Sequence, residues 1–143
     1  MTEEIAALIQ YRLEQAEAAL NDARYLLDGS RSPQSIINRA YYAMFYSALA
    51  LLQKAGKIPS KNGGVIGLFD TEFVVKGIFP RELSQDFHKG FELRQASDYR
   101  GLQSPSREKA EEAYGKAARF VRAVMGDVGS EVSLLPSTRP SLA

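Results

Sequence analysis

At 143 residues, 45% hydrophobic and 24% charged, the chain has the length of one domain and the composition of an ordinary globular one. Its formal net charge of +1 supplies no global field for drawing in nucleic acid or an anionic membrane, so any such contact has to use a local basic patch. It has no cysteine and one histidine, His88, which excludes disulfides, thiolate metal sites, thiol catalysis and any histidine-rich metal centre.

The first residues, MTEEIAALIQ, are acidic and amphipathic, unlike the basic stretch and apolar run of a signal peptide. Ile5, Ile9, Leu13, Ala16, Leu20, Ala23 and Leu27 recur at spacings of three and four, which predicts one apolar face of a long helix. Thr2 is placed to cap it, Glu3 and Glu4 suit the positive end of its dipole, and Gly29 is placed to end it. In SPQS, Ser32 reads as an N-cap and Pro33 as the first residue of a second helix. This helix is expected to run through NRAYYAMFYSALALL to about Ala55 and to stop at Gly56.

The apolar run from Ala40 to Leu52 is too short to cross a bilayer, which takes about 20 residues. Apolar or small side chains cover nearly the whole circumference there, as expected of a central buried helix, or of one shared between a core and a subunit interface. Tyr41, Phe45 and Leu49 are expected in the core. Ala40, Ala43, Ser47 and Ala50 form a stripe that lets a neighbouring helix come close. Stacking on bases normally needs a basic groove around the rings, and Arg39 is the only cation in this stretch. The polar atoms at the helix start are therefore the candidates: Asn38, Arg39 and the hydroxyls of Tyr42 and Tyr46, which need partners and can order Arg39.

Beyond it, NGGVIGLFDTEFVVKG is a weaker segment. Ile66, Phe69 and Phe73 can share a face, but four glycines interrupt it. Leu83, Phe87 and Phe91 step by four and predict a helix from about Arg81 to Tyr99. Ser104 with Pro105 is expected to open the last helix. Ala110, Ala113, Tyr114, Ala117, Val121 and Val124 share its face, and Gly126 is expected to close it. The reading is thus an all-α, up-down antiparallel bundle of four to five helices over residues 1–126, followed by a flexible tail over 127–143 with two prolines and scattered serines. A soluble, cytoplasmic protein is the expectation, and nothing in the chain points to a metal or an organic cofactor.

A second charged cluster lies in FELRQASDYR. Arg94 and Asp98 are spaced i, i+4, near enough to pair, with the basic residue first, which is the poorer orientation. The early NRAYYAMFY helix, the segment FPREL and then LRQASDY, in that order and separation, resemble a HEPN-domain protein over about residues 3–125. The branch is that of small single-domain members often encoded beside a minimal nucleotidyltransferase. The resemblance implies a helical bundle that dimerises. For many members it also implies metal-independent ribonuclease action by an arginine followed, after four to six residues, by a histidine. Several such members are the toxin of a toxin–antitoxin pair with the nucleotidyltransferase.

In such a site the arginine steadies charge growing on the phosphate during 2′-hydroxyl attack and the histidine moves protons. Here Tyr99 stands where the histidine would follow Arg94, and a phenol with a pKa near 10 is a poor proton shuttle at neutral pH. A literal match to the spacing is Arg81 with His88. Three functions follow as expectations. The leading one is a HEPN partner in a nucleotidyltransferase toxin–antitoxin-like module, binding nucleotide or RNA through Asn38, Arg39, Tyr42 and Arg94. Another is a ribonuclease toxin with Arg94, Asp98 and Tyr99, or His88, as its catalytic set. The last is a purely structural dimerising module.

Overall fold

The computed structural model describes residues 2–59, 64–99 and 104–132. Five α-helices carry the fold: α1 (Glu3–Asp28), α2 (Pro33–Lys54), α3 (Val65–Phe69), α4 (Arg81–Asp98) and α5 (Arg107–Val132). Among the described residues there is no strand, and the chain is an all-α helical bundle. Helix α1 begins where the Thr2 hydroxyl accepts from the Ile5 N–H at 3.1 Å. It ends as expected before Gly29, but the left-handed residue of the turn is Ser30, with φ 53°. The N–H of Arg31 closes that turn on the carbonyl of Leu26 at 2.9 Å. Helix α2 opens on the Ser32 cap with Pro33 in its first turn, and Gly56, with φ 72°, ends it.

Helix α2 packs against α1, α3, α4 and α5, and α1 also meets α5. Contacts at the helix ends give the directions. Arg107, at the start of α5, donates to Ser30 just before α2, and Lys54, at the end of α2, reaches Asp127 late in α5. Gln34, at the start of α2, donates to Asp98 at the end of α4. Helices α2 and α5 therefore run parallel, each antiparallel to its neighbour in sequence, and they form the short diagonal of the bundle. Small residues make that close approach possible: Ala40, Ala43, Ser47 and Ala50 on α2 and Ala110, Ala117 and Ala118 on α5 are all buried. The hydroxyl of Ser47 is satisfied inside its own helix by the Met44 carbonyl at 2.9 Å.

The core is aromatic. Phe69, Phe87 and Phe120 are fully buried and mutually in contact, with ring centroids 5.1 to 5.8 Å apart. Tyr41 is buried beside Phe87, whereas Phe45 and Leu49, also expected in the core, are only half-buried.

Several expectations need correction. On α1 the buried face runs through Ala6 and Ala19, leaving Ile5 exposed and Leu20 half-buried. The weak glycine-rich segment is α3 running directly into a π-helical turn over Asp70–Val74. There the Thr71 hydroxyl donates to the carbonyls of Gly67 and Leu68, and the backbone widens to an i→i+5 bond, Val75 N–H to Asp70 carbonyl, at 2.8 Å. The hydroxyl that caps α5 is Ser106, accepting from the Lys109 N–H at 3.1 Å; Ser104 lies outside the helix. Gly126 does not close α5, because burial of Val128 and the Lys54–Asp127 contact carry the helix on to Val132. The boundary placed between 126 and 127 is thus too early, and the remainder of the expected tail, 133–143, lies outside the described residues. Among the described residues no helix is long and apolar enough to cross a membrane.

Candidate functional site

The start of α2 and the last two turns of α4 meet because the two helices are antiparallel. Asn38, Arg39 and Tyr42 project from the first, Arg94 and Asp98 from the second. Arg94 sits over three rings, its guanidinium carbon 5.0 Å from the centroid of Tyr41, 5.5 Å from Tyr42 and 6.0 Å from Phe91. Such cation–π contacts hold a guanidinium in place without spending its N–H donors. Its polar contacts are long: 3.5 Å from Nη1 to the Tyr42 hydroxyl and 3.7 Å from Nη1 to Asp98 Oδ2. Among the described residues, its buried Nε has no hydrogen-bond partner. Only about a quarter of the Arg94 side chain is exposed. A partly desolvated planar guanidinium with loose partners is well suited to a doubly accepting anion such as a phosphate or carboxylate.

Arg39 joins it from the other helix. Its carbon lies 5.3 Å from the Tyr42 centroid, so Tyr42 is contacted by two guanidinium groups. The Asn38 amide oxygen accepts from Arg39 Nε and Nη2 at 3.1 and 2.9 Å and fixes that side chain. The expected ordering of Arg39 by tyrosine hydroxyls is therefore replaced by Asn38 and by the face of a ring. Tyr46 contributes ring contacts to Tyr42 and Phe45. Burial raises the Tyr41 phenol above its ordinary value, with Arg94 opposing and Tyr42 adding to the shift.

Asp98 is shared between Arg94 and Gln34, whose Nε2 donates to its Oδ1 at 3.2 Å. Tyr99 ends α4 in extended backbone and is 72% exposed. With Arg94 and Asp98 it lines an open depression on the surface. Asn38, Arg39, Tyr42, Arg94 and Asp98 thus come together, with Tyr99 at the rim.

His88 is elsewhere. Six residues before Arg94, it lies about 120° around α4 and roughly 9 Å along it, from the helical repeat. Its Nε2 is 2.6 Å from Asp70 Oδ2 in the π-helical turn, and the other Asp70 oxygen is buried and unpartnered. Arg81 forms no hydrogen bond or ion pair among the described residues, so the expected Arg81–His88 unit is replaced by Asp70–His88. That pair is invisible in the sequence because the residues are 18 apart and come together only through the π-helical turn. Among the described residues no group of three histidine, cysteine or acidic side chains is placed to hold a metal ion.

Comparison with known proteins agrees with this architecture. The HEPN domain family model matches residues 9–128. A UPF0332 protein of Thermotoga maritima is 37% identical over 82% of this chain and 88% of its own length. A protein of Methanocaldococcus jannaschii named "Putative toxin MJ0605" is 34% identical over 85% of this chain and 89% of its own. A second from that organism, "Putative toxin MJ0142", is 30% identical over 76% and 74%. On the extent of that family match and of these alignments, the chain belongs to the HEPN domain family.

Proposed function

We propose that this protein is the HEPN half of a toxin–antitoxin-like pair in the cytoplasm, and that it binds the phosphate of an RNA or nucleotide at Arg94. The observation that carries this reading is the state of Arg94: held over three rings and, among the described residues, with no hydrogen bond shorter than 3.5 Å and its Nε unpartnered. Arg39, fixed by Asn38 against the other contact of Tyr42, supplies a second cation. The toxin names of two relatives support the toxin–antitoxin setting. A minimal nucleotidyltransferase as the other half, and a homodimer as the assembled form, follow from the family resemblance.

Catalysis is not part of the proposal. Proton transfer at the Arg94 site would fall to Asp98 or Tyr99, and Asp98 is engaged by Arg94 and Gln34 while His88 is bound to Asp70. The test is anisotropy of a labelled RNA oligonucleotide and of a labelled nucleotide, with wild type, Arg94→Lys, Arg94→Ala and Arg39→Ala. Loss of the charged hydrogen bonds from Arg94 corresponds to about 1.5 to 3 kcal/mol, roughly a 10- to 150-fold weaker complex in Arg94→Ala. Arg94→Lys loses planar recognition and falls in between. Equal binding by wild type and Arg94→Ala would defeat the reading. Cleavage of the RNA by wild type but not by Arg94→Ala would replace it with a ribonuclease.

A further inference from the structure

About a quarter-turn around α4 from Arg94, a cavity of about 250 Å³ opens between α4 and α5. Its floor is apolar: Met44 from α2, Leu93 from α4 and Ala113 from α5. Gly90 belongs to this floor for a steric reason. A Cβ there would lie 2.5 Å from the Met44 methyl, so the missing side chain is what lets that methyl rest against α4.

The rim is charged and its charges do not balance. Asp86, buried at one end, is held by Arg119 through contacts of 2.6 and 3.2 Å. Glu112 is held by Lys116 at 3.0 Å. Its carboxyl lies below the usual range because of Lys116, with smaller contributions from Lys89 and Lys109, and both of those lysines line the same opening. With Asp86 and Glu112 each satisfied, Lys89 and Lys109 remain, and neither ammonium forms an ion pair among the described residues. Two cations without a direct ion-pair partner over an apolar slot favour an anion carrying an apolar body.

Size narrows the class. Ligand pockets for drug-sized molecules run from roughly 300 to 1,000 Å³, while an apolar cavity of about 150 Å³ in another protein accepts benzene. The space between α4 and α5 suits one ring with a small charged group. We propose that this cavity is a second binding site, separate from Arg94, for a small aromatic phosphate, with its ring on Met44, Leu93 and Ala113 and its phosphate between Lys89 and Lys109. This does not depend on what Arg94 binds.

The reporter is the Met44 methyl, one of only three methionine methyls in the chain. Protein labelled at the methionine methyl is titrated with phenyl phosphate, inorganic phosphate and phenol, and the Met44 resonance is followed. The expected result is a saturable shift with phenyl phosphate at concentrations below those needed for either of the other two. Lys89→Gln and Lys109→Gln, both at exposed positions, each weaken it about five-fold, as expected for a single solvent-facing ion pair. Ala113→Leu fills the slot and abolishes the shift, whereas Arg94→Ala leaves it intact. The proposal is overturned if phenyl phosphate leaves Met44 unmoved, if phenol shifts it at equal concentrations, or if neither lysine variant weakens the response.

Discussion

Tyr41 and Arg94 face each other in the interior of the α2–α4 contact, and their coupling has a measurable sign. Burial lifts the Tyr41 phenol and Arg94 lowers it. Arg94→Ala removes the opposing effect, so in an absorbance titration of tyrosinate the latest phenol to ionise moves later still. A titration identical to wild type would mean that the two groups do not interact. Because the folded value is raised, Tyr41 favours the fold fully below the ordinary phenol value near 10, and that stability is lost as pH climbs through the raised one. At the other charged pair, Asp86 is buried while Arg119 is more than half exposed. Arg119→Ala then leaves a buried carboxylate without its partner and costs about 2 kcal/mol, read from the midpoint of urea unfolding. A loss below about 0.5 kcal/mol would show that water replaces the arginine at Asp86.

Helix α5 shows most clearly what an element's local signals can and cannot announce. A glycine after a periodic apolar run is an ordinary stop, yet Gly126 is helical because Val128, one half-turn on, is drawn into the core. Gly126 is exposed and a Cβ there meets nothing within 4 Å. Gly126→Ala is therefore expected to raise stability by about 0.5 to 1 kcal/mol, seen as a higher melting temperature. If the helix stopped at 126, the same change would be neutral or destabilising.

The opening of α1 at Thr2, the Ser32–Pro33 start of α2 and the small-residue stripe were legible in the sequence. Each depends on chemistry within a few residues or on one helical period. The π-helical turn was not, since Thr71 bonding back to Gly67 resembles any threonine in a helix until the backbone is seen. Nor were Asp86–Arg119 and Asp70–His88, which unite distant residues through packing alone. For the candidate site, the residues were legible one by one, while the stack of Arg94 and Arg39 on Tyr42 required the antiparallel register of α2 and α4.

At the scale of the whole molecule, the structured unit extends beyond residue 126. A chain ending at Gly126 loses Val128 and the Lys54–Asp127 contact, whereas one ending at Val132 keeps both. Losing the burial of a valine side chain costs about 1.5 to 3 kcal/mol, so the shorter chain should unfold at clearly lower urea than the longer one. Coincident unfolding curves would put the functional boundary back at 126. The position of α2, in contact with every other helix, has a kinetic consequence for the site. Amides in its middle turns are released to solvent only when the whole bundle opens, so they exchange hydrogen with the global unfolding free energy. At the C-terminal end of α4 the N–H of Tyr99 reaches the Ala96 carbonyl only at 3.4 Å, and Tyr99 is largely exposed, so fraying of α4 is expected to begin there. Tyr99, at the rim of the site, is therefore expected to move on a faster clock than Tyr42, which is carried by the central helix.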